Sequence, residues 1–498
     1  MVENSRTRTT TAYLFTLAIV VYARWLTSGG AELVKRPAGY LGLTFNSMLE
    51  HLLRGQFDVD PAAVGIEGFS VHGRIYAYWG IFCALLRLPL LIFPNGLGLD
   101  VTCLSCLVAV ALAAFVKLEI LRFIFRGTSG VAAGRVLYWA LALTILFSGA
   151  QIQFLKSSLY QEVCLWAGAL GTIFVYCALR GLLAGGFSTT RLCAMALVAG
   201  LALLARVSTG VGLYAATALL LLGILILPSP GNSEPGMRGQ DSDSFWVRLR
   251  STQLLLPVLV LAVFAGLTGF VNYERWGHPL VFADYQVYLI NIDYPDWPLR
   301  AAAYGLFNVA RIPFGIVYYF FPIWVINRSD GRPLFDELQT RLLDSTELPP
   351  ASFLLTDALL LALMVYALWS VAVLRHQLPV IRSRAITIGA GLSAPCLLML
   401  CAISMNHRYR IDFYPFIEFG AFLGVIFMLK SERLRSVVAG RAALLGAALS
   451  IGGSHVVLVL YKLSSFGPAI EHMRHGFFDY YLHQLMSHYP LLARWIPT

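Results

Sequence analysis

The chain has 498 residues, of which 58% are hydrophobic and only 13% are charged, and its formal net charge is +10. Soluble globular proteins carry about 25% charged residues. With a mean hydropathy of +0.70, the composition therefore excludes a soluble enzyme and predicts a polytopic membrane protein. The positive charge does not indicate nucleic-acid binding, because the Lys and Arg residues fall in short clusters between apolar runs, as charges that set membrane topology do.

The N-terminus and the cysteines give little indication of a chemical function. Arg6 and Arg8 precede an apolar run over 12–26, a pattern that also fits a signal peptide, but we expect an uncleaved first span because many spans follow. All eight cysteines lie in apolar segments, so we interpret them as buried apolar side chains. Cys103 and Cys106 form a CxxC without a second pair or a nearby His.

Eleven apolar segments approach the roughly 20 residues that a transmembrane helix needs. They cover 11–27, 99–116, 136–154, 160–179, 192–206, 209–227, 253–271, 352–374, 385–405, 412–429 and 442–461. Two further apolar runs, 76–93 and 306–326, contain Pro residues, and each also contains an Arg. We predict an all-α polytopic fold with about 11 transmembrane helices, in which both broken runs stay at the membrane surface as interfacial helices.

The distribution of Lys and Arg supports this arrangement. If 76–93 and 306–326 do not span, every basic cluster falls on one side, including the cluster from Lys117 to Arg135, as the positive-inside rule requires. We therefore predict a multi-pass protein of the plasma (inner) membrane with a cytoplasmic N-terminus. Its transmembrane domain covers 1–461, with large extracytoplasmic loops at 28–98 and 272–351, and an amphipathic extracytoplasmic tail follows at 462–498.

The first outer loop holds the densest acidic cluster outside the predicted spans. Apolar residues recur at helical spacing from Phe45 to Leu53, with polar residues on the other face, so an amphipathic helix on the lipid surface is predicted. Asp58, Asp60 and Glu67 follow it, and then an aromatic run begins at Tyr76. Carboxylates held above such a helix can act on a lipid head group.

This loop, together with the predicted topology, resembles the first extracytoplasmic loop of the GT-C class of membrane glycosyltransferases. The resemblance implies a multi-span fold, a polyprenyl-phosphate-linked sugar donor and an acidic catalytic residue in this loop. Many members have an Asp soon after the first span, near where this chain has Phe45 and Asn46. The resemblance therefore implies transfer of a sugar to a glycan, lipid or protein acceptor outside the cytoplasm, with the bilayer as a further partner.

Transfer from a lipid phosphate needs a general base near the acceptor hydroxyl and cations that bind the phosphate leaving group. The candidate bases are Asp58, Asp60 and Glu67, and the alternative is that they are solvated loop charges. Candidate phosphate ligands at outer span ends are Arg206 and Lys156, since a cation near a span invites a partner. The alternative for Arg206 is snorkelling to the interface.

The short outer loop 406–412 is the second strong signal. It contains His407, Arg408, Arg410 and Asp412, more charge than solubility requires, and it departs locally from the positive-inside rule. We interpret Arg408 and Arg410 as phosphate ligands and His407 as a substrate ligand. An ion pair between one of the arginines and Asp412 is the alternative. A related short outer loop with Arg and aromatic residues occurs in proteins of the GT-C class.

Further candidate substrate ligands are Arg74, Tyr76, Glu162, Tyr273 and His278. Glu162 begins a span, where a carboxylate is a functional candidate by default, although a structural pair with Lys156 would also explain it. Tyr273 and His278 directly follow a span, where a capped turn would account for them. The HxxH formed by His472 and His475 lacks the glutamate of HExxH, so we predict no metal site there.

A multi-span transporter or lipid flippase is the alternative function. Transporters place ionisable residues near the bilayer midplane and often contain internal repeats. Here the candidate charges sit at the outer ends of spans and no repeat is visible, which favours an enzyme. The sequence identifies no cofactor and leaves open a divalent cation.

Overall fold

The computed structural model describes residues 5–28, 30–36, 38–126, 132–226, 252–321, 342–343, 347, 352–373, 379–430, 437–464 and 476–488. Helices dominate these residues. In chain order they are α1 Ser5–Leu26, α2 Thr44–Leu53, α3 Pro61–Val64, α4 Phe82–Leu85, α5 Thr102–Phe125, α6 Ala132–Phe147, α7 Leu159–Leu183, α8 Thr189–Ala205, α9 Val207–Ile226, α10 Thr252–Trp276, α11 Asp296–Tyr304, α12 Ile312–Phe320, α13 Phe353–Thr356, α14 Ala358–Val373, α15 Pro379–Leu400, α16 Tyr414–Lys430, α17 Val437–Leu463 and α18 Gly476–His488.

The all-α polytopic fold is confirmed. Each of the eleven predicted spans coincides with a helix, namely α1, α5 to α10 and α14 to α17. Within the described ranges, eight helices are long and apolar enough to cross a membrane. The other three predicted spans are helices of 16 or 17 residues, α6, α8 and α14. The total of eleven stays a prediction.

The helices pack as neighbouring pairs around one apolar core. The most extensive contacts join α14 to α16, α9 to α15, α8 to α10 and α5 to α7. The two long connections, 27–101 and 277–321, meet at the same end of this bundle, because Phe69 of the first forms a β-bridge with Tyr288 of the second. We call this end the loop face.

The run 76–93 does not form a long helix. It contains the four-residue α4 and a 3₁₀ segment, Leu88–Ile92. It is anchored at the loop face by Gly80, where an added Cβ would lie 1.8 Å from the carbonyl oxygen of Leu204. Ile92 is 79% exposed at the other end of the run. This short, broken segment with an apolar outer side has the form of an interfacial element.

A small hairpin completes the first outer loop. Strand β1, Phe69–Val71, pairs antiparallel with β2, Arg74–Tyr76, so that Phe69 lies opposite Tyr76. The turn contains His72 and Gly73, both with positive φ, which glycine adopts at little steric cost. The hairpin matters for the site because it holds Phe69, and with it Glu67, against the second outer loop.

Two irregular segments enter the bundle from the loop face. One is 148–158, between α6 and α7, and the other is 401–413, which ends in the 3₁₀ helix His407–Phe413. The second runs closely along α7, since a Cβ on Gly168 would lie 2.9 Å from Ile411. Non-helical backbone at membrane depth is tolerated where protein buries it or where it lines a polar cavity.

The placement of Lys117 in the loop cluster that runs from Lys117 to Arg135 is wrong, because Lys117 lies inside α5. Lys117 is 4% exposed, and its ammonium group lies 2.6 Å from Glu418 and 2.7 Å from the side-chain oxygen of Gln151. It follows Thr102, the first residue of α5, by 15 residues, so it lies about 22 Å along that helix. The sequence argument missed it because Lys117 precedes Arg122 and Arg126 closely and reads as part of their cluster.

Candidate active site

Arg410 is held inside the protein. It is fully buried, donates to Thr356 at 2.8 Å and to Gln153, and lies 3.7 Å from Asp357. Its guanidinium also covers the ring of Phe353 at 4.2 Å. The side chain therefore supports the irregular segments from within.

Arg206 is committed to Asp412. Its guanidinium donates three hydrogen bonds of 2.7–3.1 Å to that carboxylate. Ser208 and Thr209 donate to the same carboxylate at 2.8 and 2.5 Å. Asp412 is fully buried and accepts hydrogen bonds from all these donors. The pair therefore has a structural role: it joins the ends of α8 and α9 to the segment 407–413.

Arg408 differs from both. Its side chain is 21% exposed and lies 3.6 Å from the carboxylate of Glu347, too far for a hydrogen bond. Its guanidinium lies 4.3 Å from the centre of the Tyr160 ring. Within the part of the chain that the structure describes, no residue accepts a hydrogen bond from this side chain. Arg408 therefore has donors available for an anion.

Lys156 and His407 both contact Tyr461. The ammonium group of Lys156 is 4.8 Å from the centre of the Tyr461 ring, and the His407 ring packs on the same tyrosine at a tilt of 38°, with centroids 4.6 Å apart. Burial lowers the pKa of Lys156, with Glu347 opposing the shift. His407 Nε2 lies 3.2 Å from the carbonyl of Gln153. His407 is fully buried, and its contact with Tyr461 helps to hold that ring beside Lys156.

Glu67 reaches this region from the first outer loop. Its carboxylate accepts a hydrogen bond from the Tyr288 hydroxyl and lies against the Tyr160 hydroxyl. Burial, together with Tyr78 and Glu67, raises the pKa of Tyr288 far above its ordinary value, so this hydroxyl keeps its proton. Glu67 and Arg408 thus lie at two sides of Tyr160, one at its hydroxyl and the other over its ring.

Aromatic rings surround these two charged groups. Trp79 packs on Tyr160 and on Tyr78, with ring centroids 5.6 and 4.5 Å apart. Tyr288 stacks on Phe69 at 4.4 Å with nearly parallel planes. Aromatic walls that carry a few fixed polar groups are typical of binding sites for small polar molecules.

The structure places the other two predicted acids elsewhere. Asp58 pairs with His51 at 3.0 Å, seven residues earlier in the chain. Asp60 is exposed, and its backbone N–H donates to the Ser47 hydroxyl at 2.8 Å. Of the three acids, Glu67 is the one that the described contacts bring to the tyrosines beside Arg408.

Glu162 is the centre of a buried ion pair, but not with Lys156. Its carboxylate lies 2.7 Å from Arg87, and both side chains are almost completely buried. Asn46, the residue near the position where GT-C proteins carry an Asp, accepts from Arg87 at 3.1 Å and donates to the carbonyls of Leu97 and Leu99. These residues fasten the first outer loop to α7 and are occupied in that role.

The remaining predicted ligands lie apart from Glu67 and Arg408. Arg74 and His278 are exposed, as is Tyr273, at 57%. Tyr76 is buried beneath the aromatic walls and packs on Trp276, with centroids 5.9 Å apart. His472 and His475 lie outside the described residues. No described contact links Arg74, Tyr273 or His278 to Glu67 or Arg408.

Sequence reasoning missed Glu347, Tyr288 and Tyr461. Each reaches the site over a long sequence separation, such as the 221 residues between Glu67 and Tyr288. Tyr288 lies in 273–321, where aromatic residues are concentrated, and Tyr461 lies beside Lys462 in the last turn of α17. Among the described residues, no group of three or more His, Cys, Asp or Glu side chains could hold a metal ion.

Comparison with known proteins gives structural matches only. A scan against protein-family models finds no match, and neither does a search of curated proteins. The chain is similar to the oligosaccharyltransferase of Archaeoglobus fulgidus in its apo form, with TM-score 0.46, 13% identity, and coverage of 92% of this chain and 56% of that one.

A second solved structure of the Archaeoglobus fulgidus enzyme, the archaeal oligosaccharyltransferase AglB in complex with an inhibitory peptide and a dolichol-phosphate, gives a TM-score of 0.44 and 12% identity. There the match covers 93% of this chain and 57% of the other. The chain therefore spans a little over half the length of the solved structures it matches.

Proposed function

We propose that this chain is a GT-C-type membrane glycosyltransferase that moves a hexose or pentose from a polyprenyl-phosphate-linked donor to an acceptor outside the cytoplasm. The acceptor is a lipid, a glycan or a protein. The observation that carries the proposal is the meeting of Glu67 and Arg408 on two sides of Tyr160. One is a carboxylate able to take a proton, and the other is a cation with unused donors, at the loop face of a multi-span bundle.

In the proposed reaction the donor phosphate lies against Arg408, with Lys156 as the second cation. A guanidinium can hold two phosphate oxygens at once, which fixes the lipid head group beside the aromatic walls. As the bond between the anomeric carbon and the phosphate oxygen breaks, charge grows on that oxygen, and the preplaced cations stabilise it.

Glu67 acts as the general base in this proposal. It takes the proton of the acceptor hydroxyl while the hydroxyl oxygen forms its bond to the anomeric carbon, so that configuration inverts. The hydrogen bond from Tyr288 orients the carboxylate. Tyr78, Trp79 and Tyr160 enclose the space in which the sugar is held for this step, which positions the reacting groups. A divalent-cation requirement stays a prediction that chelation in the transfer assay tests.

A transporter or lipid flippase is the second candidate, and one observation favours it. Lys117 and Glu418 form an ion pair deep in the bundle, beside an enclosed cavity of about 10 Å³ that Ser148 and Gln151 also line. A cavity of that size holds about one water molecule. Ionisable groups within spans often mark a transport or proton pathway.

An assay in reconstituted membranes distinguishes the glycosyltransferase from the transporter. The purified chain is supplied with a polyprenyl-phosphate sugar and candidate acceptors, and the assay measures both glycosylated acceptor and movement of the lipid between leaflets. We expect transfer that depends on Glu67 and Arg408 and leaves the lipid in its own leaflet. Lipid movement that depends on Lys117 and Glu418, without transfer to any acceptor, would replace this proposal with the transporter.

A further inference from the structure

Glu347 is a buried acid that points into the proposed phosphate site. It is 2% exposed, and its backbone is held on both sides. Its N–H donates to the carbonyl of Met405 at 2.9 Å, and its own carbonyl accepts from the Tyr318 hydroxyl at 2.8 Å. These two backbone hydrogen bonds therefore fix the position from which the carboxylate extends.

The two oxygens of this carboxylate have different partners. Oε2 accepts the backbone N–H of His407 at 2.7 Å, whereas Oε1 faces Arg408 at 3.6 Å without a hydrogen bond. The corresponding distance between Arg206 and Asp412 is 2.7 Å. The bond to His407 anchors Glu347, so the carboxylate stays in place whether Arg408 faces it or faces another anion.

We propose that Glu347 is a resident counter-ion that competes with a bound phosphate for Arg408, and that it thereby tunes the affinity and release of the lipid phosphate. This inference rests on the proposed function. Arg408 compensates the charge of Glu347 when the site holds no phosphate, since a buried unpaired carboxylate is costly. When phosphate binds, Arg408 donates its free N–H groups to the phosphate oxygens, and Glu347 repels the new anion.

The repulsion has a kinetic consequence. After transfer, the lipid phosphate is itself the leaving product, and product release is the slow step in many enzymes. A fixed negative charge beside the phosphate weakens the bound state and speeds its departure. Glu347 is thus a positioning residue for Arg408, and removing its charge is expected to make the site hold both donor and product more tightly.

The test uses Glu347→Gln in the full chain in lipid nanodiscs, with farnesyl phosphate as the probe. The amide oxygen of Gln still accepts the N–H of His407, so the substitution removes the charge and keeps the anchor. We expect farnesyl phosphate to bind on the order of 10-fold more tightly than to the wild type, and KM and kcat for transfer to fall together. Asp293→Asn, which neutralises an exposed acid of the same outer loop, is the matched control and should change neither.

The coupling between Glu347 and Arg408 is tested in an Arg408→Ala background. There Glu347→Gln should no longer tighten binding, because the proposed effect passes through the arginine. Unchanged or weaker binding of farnesyl phosphate to Glu347→Gln, with normal binding to the wild type, would overturn this inference alone. Absence of binding to the wild type would overturn it together with the phosphate site of the proposed function. Thermal unfolding of each variant confirms that it is folded.

Discussion

Arg206 and Arg408 lie on the same tyrosine, with guanidinium carbons 5.2 and 5.8 Å from the centre of the Tyr409 ring, yet their surroundings differ. Arg206 donates three hydrogen bonds to Asp412, and Ser208 and Thr209 occupy the same carboxylate. Among the described residues, Arg408 has one ion pair, at 3.6 Å, and the face of Tyr160. Hydrogen bonds from the protein therefore satisfy Arg206, whereas no described residue accepts one from the Arg408 side chain.

The difference shows why a basic residue near a membrane span is not by itself a phosphate ligand. A buried cation with a complete set of partners would have to break them to bind phosphate, and breaking a buried pair costs about 3–5 kcal/mol. A cation with an incomplete set gains hydrogen bonds when phosphate arrives. The same distinction separates Glu162, which is paired with Arg87, from Glu67, whose hydrogen-bond partners among the described residues are tyrosine hydroxyls.

The largest expected effect is on the rate of sugar transfer at the site formed by Glu67 and Arg408. Glu67→Gln keeps the size of the side chain and removes the base, so we expect sugar transfer to slow by about 10²–10⁴-fold. Asp60→Asn removes an exposed carboxylate of the same loop and serves as the control. Single-turnover transfer rates in reconstituted membranes measure both. An equal loss in the two variants would contradict the assignment of the base to Glu67.

Changes to the pair of Arg206 and Asp412 should affect the stability of the protein. Asp412→Asn leaves the guanidinium of Arg206 without its counter-ion in a buried setting, and we expect the free energy of unfolding to fall by about 3–5 kcal/mol. Arg408→Ala is measured in a Glu347→Gln background, where no buried carboxylate is left unpaired. There it removes a cation that is 21% exposed and should lower the free energy of unfolding by no more than about 1 kcal/mol. Unfolding in detergent measures the two values, and similar losses would remove the distinction drawn between the two arginines.

Arg408→Ala should instead weaken donor binding. It removes charge-assisted hydrogen bonds to the phosphate, each about 1.5–3 kcal/mol, so KM for the donor should rise about 10- to 100-fold. Arg408→Lys should recover only part of this, because an ammonium group cannot hold two phosphate oxygens in the geometry of a guanidinium. Arg54→Ala, which removes an exposed partner of Glu50, is the control. Full recovery with Lys would exclude two-point binding.

The smallest expected effect concerns Lys156. Because burial lowers the pKa of this ammonium group, its charge is lost on alkalinisation at a lower pH than in an ordinary lysine. Affinity for farnesyl phosphate should therefore fall by about 10-fold as pH rises through that range. Lys156→Arg keeps its charge and should show a flat profile over the same pH values. A flat profile in the wild type would exclude Lys156 as a phosphate ligand.

The sequence by itself determined the class of fold and the positions of the helices. All eleven predicted spans coincide with helices, because hydropathy summed over about 20 residues is a local property that no distant contact overrides. The broken character of 76–93 was also predictable, since Arg87 and Pro89 interrupt it.

Tertiary structure decided which charges are available for chemistry. Arg206, Arg408 and Arg410 are alike in sequence, and only their partners distinguish them: Asp412 lies 206 residues from Arg206, and Arg410 is enclosed by Thr356 and Gln153. By sequence Lys117 belongs to the basic cluster that ends at Arg135, whereas in the structure it pairs with Glu418 on another helix. The physical reason is that the free energy of a buried charge depends on the groups within a few ångströms, and folding alone sets those neighbours.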